Sequence, residues 1–128
     1  MGYVVLNTGD QLNRNGSFVT PSNEHQLILQ DDGNLVLYQL AGDDPNGKKY
    51  VVWASNTYGQ NSQYAIMQPD GNFVIYGPDN PPNALWASGT NGQGTPPYTL
   101  EITEDLTPDG AELQIVDSNG SGLWTAPG

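Results

Sequence analysis

A chain of 128 residues fits one domain, or one set of small repeats sharing a core. Three Lys and Arg against fourteen Asp and Glu give a formal net charge of −11, which argues against nucleic acid and anionic membranes as partners, because a polyanion is repelled. There is no cysteine, so the fold must stand without a disulfide and no thiolate site is available.

Leu, Ile, Val and Phe together number 27, close to the range in which a highly charged chain stays disordered. Three Trp and seven Tyr argue for a folded chain with a thin core, because each large ring buries much apolar area. In chain order, the segment from Met1 to Asn7 has no basic stretch and no long apolar run. It does not read as a secretory signal, and no later run is long enough to span a bilayer. The expectation is a cytoplasmic location, or release without a signal peptide, and no membrane insertion. Asn15-Gly16-Ser17 and Asn119-Gly120-Ser121 match the glycosylation sequon and are discounted on that basis. Sixteen Gly and ten Pro interrupt the chain so often that no stretch free of both exceeds eleven residues. Helices of ordinary length are nearly excluded, and short β-rich runs between turn signals predict an all-β domain.

An internal repeat organises the chain. Gln30-Asp31-Asp32-Gly33-Asn34-Leu35-Val36-Leu37-Tyr38 aligns with Gln68-Pro69-Asp70-Gly71-Asn72-Phe73-Val74-Ile75-Tyr76. Each copy is followed by a tryptophan element, Trp53-Ala54-Ser55-Asn56-Thr57 and then Trp86-Ala87-Ser88-Gly89-Thr90. A third, degenerate copy runs from Thr107 through Asp109-Gly110 to Val116, with Trp124 after it. Each copy is predicted to be a hairpin turning at Asp-Gly. Alternation then places Asn34, Val36 and Tyr38 on one face and Leu35 and Leu37 on the other, with the same split in the second copy. In the third copy Leu113 and Ile115 keep the core pattern, while Glu112, Gln114 and Val116 replace the outward set. A lone hairpin is marginal in water, so three similar sheets should bury their apolar faces on one another across residues 1–128 as a single domain.

The five-residue pattern Gln-x-Asp-x-Asn-x-Val-x-Tyr, present twice, resembles the signature of the monocot-type (bulb) mannose-binding lectins. The tryptophan segments and Asn15-Gly16-Ser17-Phe18-Val19 resemble that family's recurring elements as well. The resemblance implies a β-prism II fold: three four-stranded antiparallel sheets about a pseudo-threefold axis, with the tryptophans at the centre. It also implies two carbohydrate sites, Gln30, Asp32, Asn34, Val36, Tyr38 and Gln68, Asp70, Asn72, Val74, Tyr76. In each, the Asp and Asn would hold the axial O2 of mannose, the Gln O3 and the Tyr O4, while the Val packs against C3–C4. The residue types suit a pyranose, whose hydroxyls donate and accept around a small apolar C–H face. Asn34 and Asn72 are expected to face outward, so that alanine there removes binding and spares the fold.

The chain departs from the plant pattern in three places. Gly33 stands where plant members often carry a half-cystine, the loop from Ala41 to Tyr50 is long enough to form a rim beside the first site, and the third motif is degenerate. Other readings weigh less. The tryptophans are read as core, and His25 as a structural or solvent-facing residue. Asp43-Asp44-Pro45-Asn46-Gly47 is similar to a calcium loop but lacks its later glutamate, so no metal and no cofactor is expected. Glu101, Glu104, Asp105 and Asp109 offer carboxylates for a glycosidase pair, yet none stands in a clearly apolar setting, so no enzyme is expected. The partners implied are mannose-containing glycans or glycoproteins, with a homodimer by exchange of a C-terminal strand near Gly122 to Pro127. The alternative is a lectin-like antibacterial or interaction scaffold of the same fold with idle sites.

Overall fold

The computed structural model describes residues 2–40, 49–104 and 110–127, and among these it holds twelve strands and no helix. They are β1 (Gly2–Asn7), β2 (Gln11–Asn13), β3 (Ser17–Val19), β4 (His25–Leu29), β5 (Leu35–Leu40) and β6 (Lys49–Ala54). The chain continues through β7 (Tyr64–Met67), β8 (Phe73–Tyr76), β9 (Ala84–Ala87), β10 (Thr99–Glu104), β11 (Ala111–Val116) and β12 (Gly122–Ala126). All pairings are antiparallel and form three four-stranded sheets: β3-β4-β5-β6, β2-β7-β8-β9 and β1-β10-β11-β12. We call them the first, second and third sheets. The three sheets are those the repeat predicts, and their arrangement is the β-prism II architecture that the resemblance implies.

Each repeat supplies three strands of its sheet, and the fourth comes from elsewhere. Residues 2–19 give β1 to the third sheet, β2 to the second and β3 to the first. The repeat alone does not announce this division, because β1 pairs with β10 across most of the chain, Tyr3 opposite Ile102.

The register places equivalent residues at equivalent points. Leu37 faces Trp53, Ile75 faces Trp86 and Ile115 faces Trp124 across neighbouring strands. The inward residues Leu35, Leu37, Phe73, Ile75, Leu113 and Ile115 are fully buried. The three tryptophan rings meet edge to face, with centroids 5.5, 5.6 and 5.6 Å apart, and Phe73 lies 5.9 Å from Trp86. Edge-to-face contact brings the positive rim of one ring to the negative face of the next. The near-equal separations are what a threefold arrangement requires. The indoles are half-buried and pack against the core rather than filling it.

Candidate functional site: two copies of one outer-face constellation

The hairpin turn after β4 closes with Gly33 N–H donating to the Gln30 carbonyl at 3.0 Å and Gln30 N–H donating to the Asn34 carbonyl at 2.9 Å. The turn after β7 repeats both bonds, from Gly71 to Gln68 at 3.1 Å and from Gln68 to Asn72 at 3.0 Å. In each turn an aspartate carboxylate accepts the backbone N–H two residues on, Asp32 from Asn34 and Asp70 from Asn72, both at 2.9 Å. That Asx turn fixes the carboxylate beside the start of the following strand. Two-residue alternation then brings Val36 and Tyr38 to the same outer face, with Gln30 bonded to the Tyr38 hydroxyl and Gln68 to that of Tyr76. With the Gln30 amide oxygen on Tyr38, its NH2 group lies 3.2 Å from both oxygens of Asp32 and links the acid to the phenol. Val36 and Val74 are only 2% exposed, so each forms a closed apolar floor under its polar rim. The five sequence-predicted residues therefore come together in both copies.

Asn34 and Asn72 stand immediately before β5 and β8, and both are half-buried and tied inward. Asn34 Oδ1 accepts from Thr57 N–H and Ser55 Oγ, each at 3.2 Å. Asn72 Oδ1 accepts from Gly89 N–H at 2.9 Å and Ser88 Oγ at 3.1 Å. Backbone N–H groups can only donate, so the amide oxygen points inward and the NH2 group is left for the outer side. The same serines accept from Leu35 and Phe73 N–H, and Thr57 and Thr90 donate to the Gly33 and Gly71 carbonyls. The Ser-x-Thr after Trp53 and after Trp86 is thus a clasp holding a loop against the motif turn. The sequence displays it twice, but its role depends on a strand neighbour that no local pattern announces. Alanine at Asn34 or Asn72 takes away the amide oxygen that two of these donors share, a contribution to the fold beyond the outward role expected of these residues.

Comparison with known proteins places the arrangement. No family model matches the chain. It is 34% identical over 118 residues to the B-type lectin plumieribetin of Scorpaena plumieri, a match covering 89% of this chain and 95% of that protein. The chain belongs to the monocot-type mannose-binding lectin family. It is also 48% identical over 77 residues to a mannose-specific lectin of Galanthus nivalis, covering 59% of this chain but only 39% of that protein's length. Among solved structures, a Polygonatum cyrtonema lectin complexed with monomannoside superposes with a TM-score of 0.61 at 30% identity, over 94% of this chain and 93% of that one.

Within this family member the departures from the plant pattern acquire physical reasons. Gly33 sits at φ 92°, and a Cβ there would overlap the Gln60 carbonyl oxygen, so the clasped loop leaves no room for a side chain. In the third sheet, register sets Glu112, Gln114 and Val116 where the other sheets carry Asn, Val and Tyr. Gln114 bonds Thr103 at 3.1 Å and Glu112 at 3.4 Å, filling the face with its own contacts. Thr107, Asp109 and Asp105 lie outside the described residues, as do the calcium-like run and residues 41–48 of the long loop.

His25 is buried rather than solvent-facing, and its partner is one of the carboxylates considered for catalysis. Its ring bonds Glu104, and the two are 2% and 4% exposed where the first and third sheets meet. Ser22 adds bonds of 2.9 Å to both Glu104 oxygens, and Thr20 adds one of 3.3 Å. Burial pushes the Glu104 carboxyl up, but the His25 bond and charge with the Ser22 and Thr20 hydroxyls outweigh it and hold the group below its usual value. Glu24, His25 and Glu104 bring ligand-type atoms within 4.8 Å, the one such group among the described residues. Its buried carboxylate is already engaged by three neighbours. Of the other carboxylates considered for catalysis, Glu101 accepts from Thr99 at 2.7 Å on the outer face of the third sheet.

Proposed function

We propose that the chain binds mannose, or mannose-terminated glycans, at two sites on the first and second sheets, without a metal ion and without catalysis. The observation that carries this reading is the twofold recurrence of one bonded constellation, Gln30, Asp32, Asn34, Val36 and Tyr38, then Gln68, Asp70, Asn72, Val74 and Tyr76. The likeness to a monomannoside-bound lectin supports it. A sugar hydroxyl both donates and accepts. Beside each motif turn it meets a carboxylate, which accepts, and an outward amide NH2, which donates. That pairing suits the axial O2 of mannose, and the valine floor suits the C–H face next to it. Removing one partner of a desolvated polar pair costs about 1–3 kcal/mol, so mannose should be preferred over its epimer glucose by roughly tenfold to a hundredfold.

The test is calorimetry with methyl α-mannoside on Asp32→Asn combined with Asp70→Asn. The replacement amide still accepts the N–H bond of the Asx turn, so folding persists while the anionic acceptor is gone. Affinity should fall by roughly tenfold or more at each site; unchanged affinity would remove the motif from the binding mechanism. Silence on a glycan array together with killing of bacteria would favour the scaffold with idle sites.

A further inference from the structure

The loop that follows Trp53 is locked to the motif turn of the first site. Thr57 donates its hydroxyl to the Gly33 carbonyl at 2.6 Å, and Gly59 N–H donates to the Asp32 carbonyl at 2.8 Å. A further bond, Gln60 N–H to the Thr57 carbonyl at 3.0 Å, closes residues 57–60 into a tight turn. Tyr58 is therefore held at a tip flanked by two residues that both touch the Asp32-Gly33-Asn34 segment. Tyr58 is 74% exposed, the highest value among the exposed large apolar residues described. An aromatic ring in that position adds nothing to the core, and its backbone neighbours already hold the loop.

The second site supplies an internal control. Thr90 bonds the Gly71 carbonyl at 2.6 Å, Gly92 N–H bonds the Asp70 carbonyl at 2.8 Å, and Gln93 N–H bonds the Thr90 carbonyl at 3.2 Å. The residue at the tip of this matching turn is Asn91. The fold thus accepts a small amide at this point, and the tyrosine of the first site is not required by the turn. Its ring offers a flat apolar face with a polar tip on a loop bonded to the motif turn of the first site, the combination that suits a pyranose.

We propose that Tyr58 is an aromatic shelf for a second sugar residue at the first site. This site then takes a mannose-containing oligosaccharide, while the second takes a terminal mannose alone. The inference rests on the mannose-binding reading above and adds a ligand class to one of its sites.

Site-resolved NMR titration tests it, with the Gly33 and Gly71 amides as reporters and methyl α-mannoside and the α1,2-, α1,3- and α1,6-linked mannobiosides as probes. In the native protein at least one mannobioside should bind the first site about fivefold to tenfold tighter than methyl α-mannoside, the gain expected from covering part of one ring, with no such gain at the second. Tyr58→Ala should abolish that gain and leave methyl α-mannoside binding unchanged, and Asn91→Tyr should confer it on the second site. A gain that survives Tyr58→Ala, a native first site with no gain, or equal weakening of mono- and disaccharide would each overturn the shelf. If methyl α-mannoside perturbs neither reporter in the native protein, the mannose-binding reading itself fails and the shelf falls with it.

Discussion

The outer faces of the first two sheets and that of the third share a backbone and differ in almost everything they present. Leu35 with Leu37, Phe73 with Ile75, and Leu113 with Ile115 are equally buried beneath them. Above, two sheets carry the bonded Gln, Asp, Asn, Val and Tyr set, and the third carries Glu112, Gln114 and Val116. Because side chains alternate across a strand, an outer face can be rewritten without disturbing a single inward residue. The core is accordingly threefold while the candidate chemistry is twofold. The two are coupled at the Ser-x-Thr clasps, which only the first two copies possess.

The largest effect should come from the shared core. Trp53→Ala, Trp86→Ala and Trp124→Ala should each destabilise by about 3 kcal/mol, the low end for a large aromatic because the rings are half-buried. Thermal unfolding should show three similar losses. A tolerated Trp124→Ala would break the equivalence of the third sheet, and weakened sugar affinity at unchanged stability would make the rings sugar platforms instead of core.

Next in size is the clasp. Ser55→Ala and Ser88→Ala each strand a backbone N–H and remove one of the two donors to an amide oxygen, at a cost of about 1–3 kcal/mol, and should weaken mannose binding at their own site by loosening the asparagine. Reduced stability with native affinity at both sites would separate clasp from site.

A smaller, pH-dependent difference belongs to Glu104, which the third sheet uses for structure. A carboxyl held below its ordinary value of 4.5 in the native state stabilises the fold fully above that pH. The contribution fades as pH falls through the lowered native value. Native protein should therefore exceed Glu104→Gln in chemical stability at neutral pH, with the gap closing in acid. A gap that widens on acidification would contradict this. The smallest expected effect is none at all: mannoside affinity should be the same with and without a chelator, and a marked drop with chelator would reopen the Glu24, His25 and Glu104 group as a metal centre.

What can be read from the sequence follows the range of the interactions. Strand alternation, Asp-Gly turns and the repeat are local signals, so the three hairpins, the inward leucines and the two motif sets are legible residue by residue. The tryptophan trio follows from their equal places in the repeat. The His25–Glu104 pair spans 79 positions and carries no spacing rule that would join a histidine of one repeat to an acid of another. The clasp is visible as Ser55 with Thr57 and Ser88 with Thr90, but its purpose is a backbone amide on the neighbouring strand. Tyr58 reads as one more tyrosine until its turn is set beside that of Asn91.

The pairing of β1 has a consequence for how the molecule is made. β1 is synthesised well before its partner β10, which lies at residues 99–104. The first hairpins close over short loops, whereas β1 must wait until those residues are available, a long-range closure of the kind that slows β proteins. Until then the apolar side chains of β1, Leu6 among them, have no sheet to join. Assembly should therefore run in two stages, early hairpins and then a late ring closure, with the third sheet completed last and acting as the latch of the prism.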